Sequence, residues 1–146
     1  MVVVTAVVCI IILLLCLAVV VTIAKDRGPG PDDVAVSYEY AWDRLDFQAL
    51  FSLSATELRD GLDRRHFVVA KRKAYAKRSE LRGLVDTVIA DDVAVRGAHA
   101  IVTTSVELKD GSVVHNRVDL IRRTARWQVF GYTVVRAAST GPSGTD

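Results

Sequence analysis

Two hydropathy regimes divide the chain. From Val2 to Ala24 the side chains are almost all aliphatic, and every Lys, Arg, Asp, Glu and His lies after that run. A helix of about 23 residues at roughly 1.5 Å per residue reaches about 34 Å, enough to cross a hydrocarbon core of roughly 30 Å with some tilt. The pattern therefore predicts a transmembrane anchor over residues 1–24. A cleavable secretory signal is the rival, with Thr22 and Ala24 as small residues ahead of Lys25. Such signals carry a basic start and an apolar core of roughly 7 to 15 residues, and neither is found here. A lipoprotein signal fits worse, because Leu13, Leu14 and Leu15 precede Cys16.

Beyond the run, KDRGPGP at residues 25–31 reads as a short stiff linker, since its prolines and glycines cannot continue a helix. Residues 32–136 then carry the spacing of a folded domain. Val34, Tyr38, Ala41, Trp42 and Leu45 recur in steps of three and four, which predicts a helix from about Asp32 to Leu45 with acidic residues in its first turn. Phe47, Leu50 and Phe51 suggest a short second helix, and Ser54 with Glu57 matches a capping box before Leu58, closed by Gly61. Asp63 is placed to cap a further helix through about Arg78, with Phe67, Ala70 and Ala74 on its apolar face.

The period then changes from 3.6 to 2. Strands are predicted over 84–95, 98–108, 112–123 and 126–135, separated by Arg96-Gly97, Asp110-Gly111 and Thr124-Ala125. Connections this short force antiparallel neighbours, so the fold class is α+β: helices packed on a four-stranded antiparallel meander. AASTGPSGTD at residues 137–146 has no periodicity and reads as a flexible tail.

Charge and cysteine content narrow the chemistry. The net charge is only +2, with acidic residues interspersed among basic ones, so nucleic acid is a poor partner. Both cysteines, Cys9 and Cys16, lie in the apolar run, where a seven-residue helical separation of about 10 Å rules out a bond between them. Three scattered histidines offer no metal-ligand spacing, phosphate loops and nucleophile elbows are absent, and neither a metal nor a cofactor is implied. The strongest charge feature is KRKAYAKR followed by Arg82. Lys71, Arg72, Lys73, Lys77, Arg78 and Arg82 complement a helix C-terminus and form a candidate contact for anionic headgroups or a partner.

The opening helix with Tyr38, Trp42, Phe47 and Leu50, and the closing strands with Arg126, Trp127 and Val129, together resemble the nuclear transport factor two-like (cystatin-like) superfamily, especially its small actinobacterial membrane-anchored members. The resemblance implies a curved, cone-like sheet whose mouth holds a ligand, an active site or a partner's surface. Enzymes of that superfamily place an Asp, His or Tyr inside the cone, and the residues of that kind here are Tyr38, Tyr40, Asp43, Asp86, His99, His115, Asp119 and Tyr132. Asp86 alternates with Leu84 and Val88, and a carboxylate among apolar neighbours acquires a raised pKa; Asp86 and Tyr38 are therefore the catalytic candidates. His115 shares a polar strand face with Arg117 and Asp119, opposite Asn116, Val118 and Leu120.

The function expected is that of a single-pass, membrane-anchored accessory or interaction domain without evident catalysis, supporting a membrane-associated complex. The alternative is a small-molecule-binding domain or a cryptic enzyme of the isomerase or dehydratase kind. The expected partners are the lipid bilayer, a membrane protein and a second copy of the chain as a homodimer. Lys25 and Arg27 after the run favour a cytoplasmic domain by charge bias, whereas the resemblance leans to the extracytoplasmic side.

Overall fold

Helix α1, Pro31–Asp43, starts where Gly30 leaves the extended linker, with Pro31 in its first turn and the Asp33 carboxylate accepting the Gly30 N–H at 3.1 Å. The computed structural model describes residues 10–17 and 28–138. Residues 10–17 are helical and exposed, and no helix among the described residues is long and apolar enough to cross a membrane. The remainder of the expected anchor, Cys9, residues 25–27 of the linker and the tail beyond 138 lie outside the described residues.

Helix α2, Phe47–Leu53, is capped by Asp46, whose side chain accepts the Ala49 N–H at 3.0 Å. Here the expected capping box fails. Ser54 is the buried C-cap of α2 and bridges Val129, where the Ala55 N–H donates to the Val129 carbonyl at 2.7 Å. The following single turn, Thr56–Leu58, has no side-chain cap, and Glu57 instead forms a two-pronged ion pair with Arg123. That pair holds the Glu57 carboxyl down at about 2, chiefly through the Arg123 hydrogen bonds.

Helix α3, Arg64–Tyr75, is capped by Asp63 as expected but ends three residues before Arg78. Its buried face is Phe67 and Val68, continued by the half-buried Lys71 and Tyr75, while Ala70 and Ala74 are exposed. Tyr75 turns inward against Trp42 and Phe47, both at 5.7 Å between ring centroids.

Strands β1 (Val85–Arg96), β2 (His99–Leu108), β3 (Val113–Arg123) and β4 (Arg126–Ala138) form one antiparallel meander in that order, with β4 extending past the expected boundary at 136. Register shifts at Val85/Thr87, Ala90/Asp92, His115/Asn116 and Asp119/Leu120 bend the strands. Val34, Ala35, Tyr38 and Ala41 of α1, with Phe47, Leu50, Phe67 and Val68, pack on Ala100, Val102, Val118, Leu120 and Val129 of the sheet. Each fully buried Val, Leu or Phe side chain in that layer contributes about 1.5–3 kcal/mol, which is what holds the helices on one face.

Candidate functional site

One residue of α1 points at the sheet with a charge. Glu39 is 5% exposed, one position along the helix from the apolar stripe, and its carboxylate meets three strands. Thr104 Oγ1 of β2 donates to Oε1 at 2.8 Å, and Asn116 Nδ2 of β3 donates to the same oxygen at 3.0 Å. Tyr132 of β4 donates its hydroxyl to Oε2 at 2.9 Å. A carboxylate has about four lone-pair positions, so Oε1 is saturated and Oε2 keeps one free. Burial raises the Glu39 pKa above the ordinary carboxylate value, although all three hydrogen bonds act to lower it. Burial, reinforced by the nearby Glu39 charge, likewise pushes the Tyr132 phenol far up, and burial raises Tyr38. Asn116 Oδ1 is buried and has no hydrogen-bond partner.

Glu39, Asn116 and Tyr132 line a cleft of about 500 Å³ between α1, the end of α3 and the inner face of the sheet. Its other walls are largely apolar, among them Leu45, Leu84, Val106, Leu108 and Val114, and Asp43 also lines it. An adjoining hollow of about 390 Å³ is lined by Tyr38, Trp42, Tyr75 and Tyr132, three of which it shares with the cleft. A smaller hollow of about 220 Å³ at the β1–β2 turn is lined by Ala94, Arg96, His99, Ala100 and Ile101.

Helices packed on a bent antiparallel meander have a counterpart among solved structures. The domain is similar to a protein from Campylobacter jejuni described as a candidate NTF2-like transpeptidase, at 20% identity and TM-score 0.51 over 69% of this chain and 97% of that one. The domain has the nuclear transport factor two-like fold. Looser likenesses link this NTF2-like domain to an NTF-2-like protein of unknown function from Silicibacter pomeroyi, at 16% identity and TM-score 0.47 over 70% and 90% of the two chains. Another is to a protein of ketosteroid isomerase-like fold from Catenulispora acidiphila in complex with trimethylamine, at 15% identity and TM-score 0.39 over 74% and 88%. These two match in general layout only. No protein-family model matches the sequence, and no curated protein sequence does.

Within this NTF2-like domain the candidate residues separate. Tyr38 and Tyr132 lie together, 5.8 Å between ring centroids, beside Glu39. Asp86 is exposed, sits at the first register shift of β1 and is not among the cleft's lining residues, so the apolar surroundings expected of a catalytic carboxylate are missing. Asp43 and Tyr40 tie α1 to β1, accepting the N–H groups of Val85 at 2.9 Å and Val88 at 3.2 Å. His99 is exposed beside Phe130. His115 faces outward with Ser105, 2.9 Å away, and Asp91; Asp119 pairs with Arg117 at 2.9 Å. Arg72, Lys73, Lys77, Arg78 and Arg82 are exposed and make no ion pair among the described residues, whereas Lys71 is half-buried and faces Asp60 at 3.5 Å.

No candidate named Glu39. The readable signal lay in the strands: Thr104 and Asn116 occupy the apolar phase of β2 and β3, beside Val102, Val106, Val118 and Leu120, and a buried polar pair calls for a partner from the facing helix.

Proposed function

We propose that the domain is a small-molecule-binding module whose ligand lies in the cone between α1 and the sheet, and that the apolar run Val2–Ala24 keeps this module at a membrane. One observation carries the reading: the cleft is open and holds convergent polar groups, Glu39, Asn116 and Tyr132, on an otherwise largely apolar wall. A few fixed polar groups in an apolar hollow are the common composition of ligand sites. The carboxyl, with its raised pKa, can also hold and release a proton at Oε2 beside Tyr132. Three protein donors nonetheless hold it firmly in place, which favours recognition over proton transfer to a substrate.

The test is methyl NMR on the purified full chain with cyclohexanone, cyclohexylmethanol and cyclohexylmethylamine as probes. Binding moves the methyl resonances of Val106, Leu108 and Val114, and Val114→Trp, which fills the cleft, removes the shifts. Shifts confined to methyls outside the cleft, or unaffected by Val114→Trp, overturn the assignment.

A second reading, contact with a membrane protein partner, is favoured by Val93 and Val95, 40% and 53% exposed near the C-terminal end of β1. Crosslinking in intact membranes, with Val93→Lys as the control, tests it: a partner retained equally by the variant refutes that surface. The exposed cations around Arg78 support an orientation in which the domain rests on anionic headgroups.

A further inference from the structure

The cleft has acceptors and aromatic rings but no cation. Glu39 and Asp43 both line it, and neither it nor the adjoining hollow has a Lys, Arg or His in its lining. Glu39 has no ion-pair partner among the described residues. A buried carboxylate without a counter-charge is expensive to desolvate, and its three neighbours are all neutral donors.

The aromatic residues show the same vacancy of charge. Elsewhere the protein's own cations sit over rings: Arg44 over Tyr40, Arg59 and Arg64 over Phe51, Lys71 over Phe67 and Arg122 over Trp127. Among the described residues none lies over Tyr38, Trp42, Tyr75 or Tyr132, the four that line the adjoining hollow. These four rings meet at interplanar angles of 50° to 82° and do not stack face to face.

We propose that the cone takes a protonated organic amine: an ammonium N–H donates to the free position on Glu39 Oε2, Trp42, Tyr75 and Tyr132 surround the charge, and apolar substituents lie along Leu84, Val106 and Val114. A cation meets the negative faces of aromatic rings favourably, and most strongly where water is excluded. The proposal rests on the cleft being the binding site and specifies what it selects. Neutral ligands of the same shape leave Glu39 without its counter-charge, and anions meet two carboxylates.

The experiment measures binding of three matched probes, cyclohexylmethylamine, cyclohexylmethanol and cyclohexanecarboxylate, to the full chain at neutral pH by calorimetry, with the cleft methyls followed by NMR. The amine is expected to bind about tenfold or more tighter than the alcohol, and the carboxylate most weakly. Glu39→Gln keeps the size of the side chain and is expected to abolish the preference while the alcohol still binds. Tyr75→Leu, at a half-buried position, is expected to weaken the amine more than the alcohol, and it serves even if Glu39→Gln does not fold. Equal binding of amine and alcohol, or equal losses in Tyr75→Leu, overturns the amine proposal and leaves the cleft as the binding site. If none of the three probes moves a cleft methyl, the cleft reading itself falls.

Discussion

Replacing Tyr132 by Phe keeps the ring in its cluster with Tyr38 and removes a single atom, the hydroxyl that donates to Glu39 Oε2 at 2.9 Å. Because the ring stays, no cavity term enters. A hydrogen bond to a charged group is worth about 1.5–3 kcal/mol, and because Tyr132 is half-buried, water can partly replace it; about 1.5–2 kcal/mol is the expected loss at neutral pH. With Gln at position 39 the same change breaks only a neutral bond, worth about 0.5–1.5 kcal/mol. Urea unfolding of the four proteins of this double-mutant cycle, followed by far-ultraviolet circular dichroism, gives the coupling as a difference in midpoints. At acid pH, where Glu39 takes up a proton, the cost of Tyr132→Phe shrinks toward its value in the Gln background. If Tyr132→Phe costs the same in both backgrounds and at both pH values, the phenol does not support a charged Glu39, and the electrostatic account of the cleft is wrong.

Three further outcomes are expected. Since burial raises the Glu39 pKa in the folded state, the fold binds more protons than the unfolded chain between the ordinary carboxylate pKa and the raised one; stability from this group is fully present below that window and lost as pH rises through it. Unfolding midpoints of the wild type should therefore fall relative to Glu39→Gln across that rise, and parallel pH curves would refute the shift. In the β3–β4 turn Thr124 and Ala125 have φ of 51° and 62°, a left-handed pair that Asn-Gly adopts with less strain. Thr124→Asn with Ala125→Gly should stabilise by about 1 kcal/mol, a rise of about 4–8 °C in thermal melting, and a lower midpoint would show that the turn is not strained. Reversing Lys73, Lys77, Arg78 and Arg82 to Glu should lower flotation of the full chain with phosphatidylserine vesicles in a salt-sensitive way, at about 1 kcal/mol per basic residue near the surface; unchanged flotation removes that face from the membrane reading.

Much of the fold could be read because local signals agreed with the tertiary outcome. Gly97 and Gly111 adopt φ of 60° and 83°, so the turns that they mark are real and the alternating strands between them had only one short way to pair. Asp63 caps α3 through the His66 N–H at 2.9 Å, as its position ahead of the helix implied. The departures come from long-range packing. Ser54 and Glu57 have the spacing of a capping box, but pairing with Val129 and Arg123 outweighs it. Asp86 stands in the apolar phase of its strand, and the register shift between Val85 and Thr87 takes it out of the alternation. Nothing near it in the sequence announces that shift. The cluster KRKAYAKR reads as a continuous helix by propensity, yet α3 stops at Tyr75, the residue that packs against Trp42 and Phe47.

Glu39 was hidden for a related reason: a charge at the edge of a helical stripe ordinarily faces water, and only the sheet decides otherwise. Thr104 and Asn116 are direct cross-strand partners, and Tyr132 sits opposite Val118, two residues along β3 from Asn116. The three donors thus come from three consecutive strands and meet only in this register. A one-residue slip of β3 would turn His115 or Arg117 inward in place of Asn116, leaving Glu39 with a donor missing or an unplanned cation in the cleft. A mispaired sheet would therefore bury the same carboxylate with fewer hydrogen bonds, at the 1–3 kcal/mol or more that a lost partner costs a buried charged group. The apolar strand faces, rich in valine, discriminate poorly between neighbouring in-phase registers, whereas the polar triplet accepts one. The groups that equip the cone to recognise a ligand are in this way the groups that specify how the sheet around it pairs, which ties the binding chemistry to the uniqueness of the fold.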